Sequence, residues 1–258
     1  MKVFKELYNY RELLKTNVKK EIRGKYKGSF LGVLWSFINP LLTVLIYVLI
    51  FPYIMKTQTD NYLIFLICGV IPWNFFTTVI TQGTTCIVQN GNLIKKVYFP
   101  REILPLSVVT SGLINFSISC IIILIFVLFS GLGLSWHLVF LPFIVLVQYI
   151  ISLTFIFLLS AINVYVKDVE YIVNFCLSMA FYATPILYSV EMFGGSPFSF
   201  IFKINPLAHI IAAYRDVFYI HQIPNLKNLG ILLVVGIILL IICYNIFKKL
   251  EKRFAEEI

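Results

Sequence analysis

Apolar residues of this chain are gathered into long runs that short polar segments separate. Runs of span length cover residues 31–55, 62–88, 103–129, 137–165, 171–188 and 228–247. A helix of about 20 apolar residues is long enough to cross the hydrocarbon layer of a bilayer. The pattern therefore predicts an all-α integral membrane protein with six transmembrane helices.

The polar segment before the first run has apolar residues at helical spacing. They recur every three or four positions, at Val3, Leu7, Tyr10, Leu14 and Val18. Such a stripe beside a span is typical of an amphipathic helix at the membrane interface. We therefore expect residues 1–29 to form a cytoplasmic interfacial segment and residues 30–258 to form the transmembrane domain. A helix packed on a protein partner is the alternative.

The segment 189–227, between the fifth and sixth runs, is apolar but interrupted. Gly194 to Pro197 breaks any helix, whereas Asn205 followed by Pro206 is typical of a helix N-cap with proline at the first helical position. Each apolar piece is too short to cross a bilayer. The pattern predicts an external re-entrant helix pair, whose backbone the protein must shield. A loop on the membrane surface is the alternative.

Composition and charge support a membrane location and set the orientation. Apolar residues make up 60% of the chain and charged residues only 13%, against about 25% charged in a typical soluble domain. If the N-terminus is cytoplasmic, seventeen of the 21 Lys and Arg residues fall on the cytoplasmic side, as the positive-inside rule requires. Both termini are thus expected to be cytoplasmic. The net charge of +9 then indicates contact with anionic lipids, not with nucleic acid.

The motifs of nucleotide, metal and ion-coupled chemistry are missing from the sequence. It contains no phosphate-binding loop of the G-x-x-x-x-G-K-[ST] type and no H-E-x-x-H. No predicted span contains a carboxylate, whereas ion-coupled transporters usually carry one within the bilayer. The five cysteines lie in apolar runs, and the three histidines have no metal-ligand spacing. We therefore expect no cofactor in this chain and an energy source in a partner.

A membrane-embedded enzyme is an alternative of another class. A glycosyltransferase acting on polyprenyl phosphate, or an acyltransferase, would need paired carboxylates or a His-Asp pair. Asp168 and Glu170 are the cytoplasmic pair that fits this requirement. A polar turn between two spans explains them equally well.

Local patterns in a fixed order add a family resemblance. They are Arg23 to Trp35 with Asn39-Pro40 after it, Gly69 to Trp73, Pro100 to Pro105, Lys167-Asp168-Val169 and Asn205-Pro206-Leu207. Together with the six runs, they resemble the permease subunit of type 2 ABC exporters of polysaccharide, the O-antigen, capsule and teichoic acid permeases. The resemblance covers nearly the whole chain.

The resemblance implies a half-transporter in the bacterial cytoplasmic (inner) membrane. Two copies would form the pore, and two separate subunits would bind ATP and Mg and hydrolyse the ATP. The substrate would be a glycan linked to an undecaprenyl-type lipid diphosphate. An exporter of a drug or peptide with the same architecture is the alternative, although an aromatic content of 16% favours the glycan.

Two basic segments are candidate contact sites. In residues 89–102, cations flank apolar residues that we expect to be exposed and to dock on the ATPase: Lys95, Lys96, Val97, Tyr98, Phe99 and Arg101. A solvated loop that obeys the positive-inside rule is the alternative. Arg23, Lys25 and Lys27 precede the first span, where they are expected to contact the lipid diphosphate. General attraction to acidic lipids would require the same charges.

The fifth run is the candidate lining of the translocation path. Its residues at i, i+4, i+7 and i+11 share one helix face: Tyr171, Phe175, Ser178 and Tyr182. Aromatic rings with a hydroxyl can stack on sugars and hydrogen-bond them. Trp35 and Tyr47 of the first run are expected to face them across the pore. Packing of these rings against neighbouring helices is the alternative.

Overall fold

The computed structural model describes residues 8–24, 30–55, 61–193 and 199–258. These residues form helices joined by short turns, and no strand occurs among them. The prediction of an all-α protein is confirmed for this part of the chain.

Eleven α-helices of very different length occur in the described ranges. In chain order they are α1 (Arg11–Gly24), α2 (Trp35–Met55), α3 (Tyr62–Gln89), α4 (Gly91–Lys96), α5 (Ile103–Phe129), α6 (Leu141–Tyr165), α7 (Val169–Tyr182), α8 (Ser199–Ile204), α9 (Pro206–Arg215), α10 (Leu226–Leu250) and α11 (Phe254–Glu257). A π-helical turn over Asp216–Ile220 follows α9.

Four helices are long and apolar enough to cross a membrane by their length and composition. They are α3 with its continuation α4, α5, α6 with the short 3-10 turn before it, and α10 with its continuation α11. They coincide with four of the six predicted runs. Helices α2 and α7 contain shorter apolar stretches, Ile38–Phe51 and Val169–Tyr182.

The sequence predicts one continuous helix over the fifth run, residues 171–188, and the structure differs from this prediction. Helix α7 has 14 residues and ends at Tyr182, so its length is about 21 Å, which is less than the hydrocarbon thickness of roughly 30 Å. Pro185 follows within three residues, and a proline cannot continue a helix because it has no N–H to donate. The prediction of a continuous helix here is wrong.

Helix α3 lies at the centre of the bundle, where it packs against α2, α5, α6, α7 and α9. Two glycines allow close approach of its neighbours. A side chain at Gly83 would collide with Ile156 of α6, and one at Gly112 of α5 would collide with Val79 of α3. Helix α10 packs along α6 and leaves most of its apolar surface exposed, as expected of a helix that faces lipid.

Both terminal segments lie at the end of the bundle where α4 is found. Helix α1 packs on α5, and the Lys20 Nζ donates to Asn90 Oδ1 at 2.9 Å. Gly91 touches Ile258 so closely that a side chain at this glycine would collide with it. Of the predicted apolar stripe, Val18 is buried and Tyr10 and Leu14 are half-buried, and the place of this helix at the membrane interface stays a prediction. The first two stripe positions, Val3 and Leu7, lie outside the described residues.

The interrupted segment after α7 contains two short helices. Asn205 caps α9, since its side-chain oxygen accepts from Leu207 N at 2.9 Å, and Pro206 is the first helical residue. The predicted N-cap is therefore confirmed. Helix α9 is mostly buried and packs on α3 and α6. The predicted helix breaker Gly194 to Pro197 lies outside the described residues.

Candidate functional site

A groove of about 400 Å³ lies between α2, α3 and α7. Its lining combines aromatic rings with uncharged hydrogen-bonding side chains: Tyr47, Trp73, Thr77, Thr81, Asn174, Leu177, Ser178, Phe181 and Tyr182. No charged side chain is among these lining residues. Such a surface offers both ring stacking and hydrogen bonds to an uncharged polar molecule.

The polar side of the groove consists of two pairs of polar residues, one pair on α3 and one on α7. Thr77 and Thr81 are one turn apart on α3, and Asn174 and Ser178 are one turn apart on α7, so each pair shares a face. The Thr81 hydroxyl donates to Asn174 Oδ1 at 3.1 Å. This hydrogen bond joins the two helices and leaves the Asn174 NH2 group free to donate into the groove.

The aromatic side of the groove is centred on Phe181. Its ring centroid lies 6.1 Å from that of Tyr47, 5.8 Å from that of Trp73 and 5.3 Å from that of Tyr182. Tyr182 itself is 67% exposed. Phe181 therefore supports rings on three sides and holds Tyr47 and Tyr182 at the open surface.

The structure brings together only part of the predicted path. Tyr47, Ser178 and Tyr182 line the groove, while Tyr171 and Phe175 lie beyond it on the same exposed face of α7. Trp35 lines a different cavity. Trp35 and Tyr47 are twelve positions apart on one helix, which separates them by roughly 18 Å along the axis and about 120° around it, so they do not line the same site.

Six groove residues were not predicted from the sequence: Trp73, Thr77, Thr81, Asn174, Leu177 and Phe181. For some of these residues, the spacing along the sequence could have predicted their position in the groove. Asn174, Ser178 and Phe181 are spaced i, i+4 and i+7, which extends the predicted stripe of α7. Thr77 and Thr81 are polar residues one turn apart in an apolar helix. Trp73 is an apolar residue in a mostly apolar stretch of α3, so its position carried no such signal.

A buried arginine holds the turn that follows α7. Arg215 is only 6% exposed, and its guanidinium donates to Pro185 O and Ile186 O, both at 2.6 Å. It also donates to Phe65 O at 3.4 Å and stacks over the Phe65 ring at 3.5 Å. No carboxylate pairs with Arg215 in the part of the chain that the structure describes.

Two further side chains fix the same turn. The Asn205 amide donates to Thr184 Oγ1 at 2.9 Å and to Ala183 O at 3.3 Å, and the Tyr62 hydroxyl donates to Leu187 O at 2.8 Å. We call Ala183–Leu187, with these three side chains, the junction. The junction fixes the end of α7 that carries Phe181 and Tyr182.

The predicted docking residues divide between the surface and the core. Lys95 and Lys96 are exposed, Val97 is 51% exposed and Tyr98 is 92% exposed, but Phe99 is only 5% exposed. Helix α4 ends at Lys96 and the backbone is extended at Val97, so consecutive side chains point to opposite sides. The prediction of an exposed Phe99 is wrong, because its ring is part of the core.

Arg101 belongs to a contact with the C-terminal segment. Its guanidinium Nη1 donates to the Glu251 carbonyl and lies near the Phe254 ring, with 5.9 Å from Cζ to the centroid. It is half-buried. Arg101 therefore holds the C-terminal segment against the start of α5 in this chain.

An ion-pair network lies beside this contact. The Glu102 side chain is fully buried, and Lys248 Nζ lies 2.9 Å both from its Oε2 and from Glu251 Oε1. The Tyr244 hydroxyl donates to Glu102 Oε1 at 3.4 Å. The network joins the start of α5 to the end of α10.

The remaining candidate residues are placed as follows. Lys25 and Lys27 lie outside the described residues, and so does the side chain of Arg23, so their role stays a prediction. Asp168 and Glu170 lie at the start of α7, where negative charge stabilises a helix N-terminus, and the Glu170 N–H donates to Asn163 Oδ1 at 3.1 Å. Within the described ranges, no three His, Cys, Asp or Glu side chains come together as metal ligands.

Comparisons with known proteins cover nearly the whole chain. Residues 12–219 match the ABC-2 type transporter family. The chain is 37% identical to the O-antigen export system permease protein RfbA of Myxococcus xanthus, over 100% of both chains. It is also 37% identical to a protein of the same name from Klebsiella pneumoniae, over 95% of this chain and 94% of that protein. The family match includes the groove and the junction.

Proposed function

The chain belongs to the ABC-2 type transporter family, and on this premise we propose that it is the permease half of an exporter of lipid-linked polysaccharide. The substrate is of the O-antigen class, which is the class in the names of the two relatives. The chain contains no phosphate-binding loop, so separate subunits supply the ATP hydrolysis. It is a transport permease of the bacterial cytoplasmic membrane.

The observation that carries this proposal is the groove of α2, α3 and α7. A sugar ring presents apolar C–H faces, which stack on aromatic rings, and hydroxyls, which hydrogen-bond to threonine, serine and asparagine. The groove provides both kinds of group without a charge. Several weak contacts in a row suit a moving polymer, because each sugar unit must be released before the next one binds.

A second copy of the chain completes the path. The face of α7 beyond the groove is apolar and exposed, with Tyr171 at 72% and Phe175 at 65%. A partner copy that packs along this face closes the open groove into a pore. The six-span topology follows if α2, which has 21 residues, and α7, extended by the non-helical segment after Tyr182, cross the membrane beside the four longer helices. Both termini and residues 1–29 are then cytoplasmic, and α8 with α9 forms a re-entrant pair on the outside.

Replacing Tyr47 or Tyr182 by alanine is expected to slow export by about three- to tenfold, since an aromatic stacking contact contributes roughly 0.5–1.5 kcal/mol. The Tyr→Phe variants keep the ring and should lose less. The measurement is polysaccharide at the cell surface per molecule of permease in the membrane. Phe129→Ala, at a ring that is 87% exposed outside the groove, is the matched control.

A packing role for these rings would give a different result. If the alanine variants lower the amount of folded permease but each remaining molecule exports at the normal rate, the groove is not the path.

We propose that the ATPase docks on Lys95, Lys96, Val97 and Tyr98. Val97 and Tyr98 are apolar and exposed between cations, which is typical of a docking point. The buried Glu102 network and Arg101 hold this segment to α10, so movement of a docked ATPase is transmitted to the bundle.

Tyr98→Ala combined with Val97→Ser is expected to weaken stimulation of the ATPase by the permease by about tenfold, as removal of a central apolar anchor typically does. Folding should be unchanged, because both side chains are exposed. Phe200→Ala, at a ring that is 65% exposed near the opposite end of the bundle, is the control. Normal stimulation in the double variant would contradict docking at this segment.

We propose further that Arg23, Lys25 and Lys27 contact the lipid diphosphate, because guanidinium and ammonium groups bind phosphate oxygens. Gln at all three positions is expected to slow export of the lipid-linked substrate. Export at the normal rate by this variant would show that the three cations only anchor the chain to acidic lipids.

A further inference from the structure

A second cavity, of about 290 Å³, lies on the other side of the α2–α3 pair, between α2, α3 and α5. It shares no lining residue with the groove. Its polar lining consists of four side-chain amides and four hydroxyls: Asn39, Asn74, Gln82, Asn115, Thr43, Thr78, Ser111 and Ser119. Among the described lining residues, Glu21 of α1 is the single charged one.

The amides of this cavity have unused hydrogen-bonding groups. Asn115 Oδ1 is buried without a partner, and none of the four amide side chains hydrogen-bonds to another described residue. The hydroxyls differ, since those of Thr43, Ser111 and Ser119 donate to carbonyls of their own helices. A buried polar group without a partner costs about 1–3 kcal/mol. This cost applies to Asn115 Oδ1, and an occupant that donates a hydrogen bond to this atom would remove it. The amides of Asn39, Asn74 and Gln82 are exposed or half-buried and are available to the same occupant.

The chemistry of the lining selects the class of occupant. Trp35, Phe75 and Phe116 add aromatic rings to the amides, and amides can both donate and accept. A diphosphate would need cations, and none is among the lining residues that the structure describes. An uncharged ring with several hydroxyls can hydrogen-bond to the amides through its hydroxyls. Its C–H faces can stack on the aromatic rings.

The position of the cavity places it early on the route of the substrate. It is lined by Glu21 of α1, the first part of α2, residues 111–119 in the middle of α5 and residues 71–82 in the middle of α3. Glu21 and the start of α2 belong to the end of the bundle where α1 and α4 lie, so the cavity extends from the middle of the bundle toward the end that the proposed function assigns to the cytoplasm. The groove lies on the opposite side of α3.

We propose that this cavity is a separate binding site for one uncharged sugar unit at the head of an amphiphile, on the cytoplasmic side of the bundle. The proposal rests on the proposed function, because the lipid-linked glycan is the amphiphile that carries such a unit. Asn115 and Asn74 provide the hydrogen bonds from opposite walls of the site.

The test uses cysteine protection in the complete permease–ATPase complex in nanodiscs. Asn115→Cys is made together with Cys176→Ser, which removes the exposed native cysteine, and is labelled with a small uncharged methanethiosulfonate reagent. Octyl glucoside and octylphosphocholine, which have the same chain length, serve as probes below their micelle concentrations. We expect octyl glucoside to slow labelling at least fivefold more than octylphosphocholine does.

Lys227→Cys, at an exposed residue at the start of α10, is the matched control, and both amphiphiles should affect its labelling equally. If they also affect Asn115→Cys equally, the cavity holds water without preference for sugar and the proposal is overturned. Absence of labelling shows that the cavity is closed to solutes, which also overturns it. Asn74→Cys gives the same measurement if Asn115→Cys fails to fold.

This experiment does not depend on export. Loss of sugar protection in a complex that still exports polysaccharide would refute the cavity site alone. Failure of the wild-type chain to export polysaccharide would refute the proposed function, whatever the labelling shows.

Discussion

Lys248→Met is expected to lower the free energy of unfolding by about 2–3 kcal/mol, because it leaves the Glu102 carboxylate buried and without its cation. Removal of one partner of a buried ion pair costs about 3–5 kcal/mol. We take a smaller value because the Lys248 side chain is 30% exposed and water screens such a pair. The measurement is the apparent Tm of the purified permease.

The contribution of the buried charge is separated by a second variant. Glu102→Gln combined with Lys248→Met removes the fully buried carboxylate and leaves only that of Glu251, whose side chain is 20% exposed, so it should be more stable than Lys248→Met alone. Lys249→Met changes an exposed neighbour on the same helix and should leave Tm unchanged. If the double variant is no more stable than Lys248→Met, the pair with Glu102 is not the source of the effect.

Arg215→Met is expected to have an effect of similar or greater size, about 3–5 kcal/mol, because it leaves the carbonyls of Pro185 and Ile186 buried without a donor. Hydrogen bonds from a charged group contribute about 1.5–3 kcal/mol each. Arg215→Lys should restore only part of this, since an ammonium cannot reproduce the planar fork that binds both carbonyls. The amount of monodisperse protein after extraction and the apparent Tm are the measurements.

Lys227→Met is the control for loss of a cation at an exposed site near the same end of the bundle. Gly69→Ala is expected to destabilise the junction by a smaller amount. The new Cβ would lie 3.0 Å from Arg215 Nη2 and 3.2 Å from Ile186 O, and contacts this tight are destabilising. Equal stability of Arg215→Lys and the wild type would show that charge alone, and not the geometry of the fork, holds the junction.

Sequence patterning predicts the long helices because membrane spans are defined by apolarity over length. The third run, 103–129, coincides with α5, Ile103–Phe129. The same rule fails at α7, because the hydropathy of a segment does not show where its helical backbone hydrogen bonds end. The chain remains apolar past Tyr182, but Pro185 ends the helix, and the carbonyls of the junction are bonded by Arg215, which is 29 or 30 positions further along the chain.

The candidate site is predictable where its residues share one helix and unpredictable where they come from several. Ser178 and Tyr182 are on one face of α7, so their spacing predicts their neighbourhood. Trp35 was grouped with Tyr47 because both belong to one apolar run, but twelve positions along a helix place them about 120° apart. Glu102 and Lys248 are 146 positions apart, and no local pattern pairs them. Phe99 and Tyr98 are both apolar, so only the extended backbone between α4 and α5 shows which one is buried.

Export of polysaccharide through the groove of α2, α3 and α7, with energy from a separate ATPase, can be tested directly in cells. The measurement compares surface polysaccharide in cells that lack the chain, in cells that carry it, and in cells that carry Tyr47→Ala with Tyr182→Ala at equal permease levels. We expect surface polysaccharide only where the wild-type chain and an active ATPase are both present, and a strong decrease in the double variant. Equal surface polysaccharide without the chain, or with an inactive ATPase, would contradict this expectation.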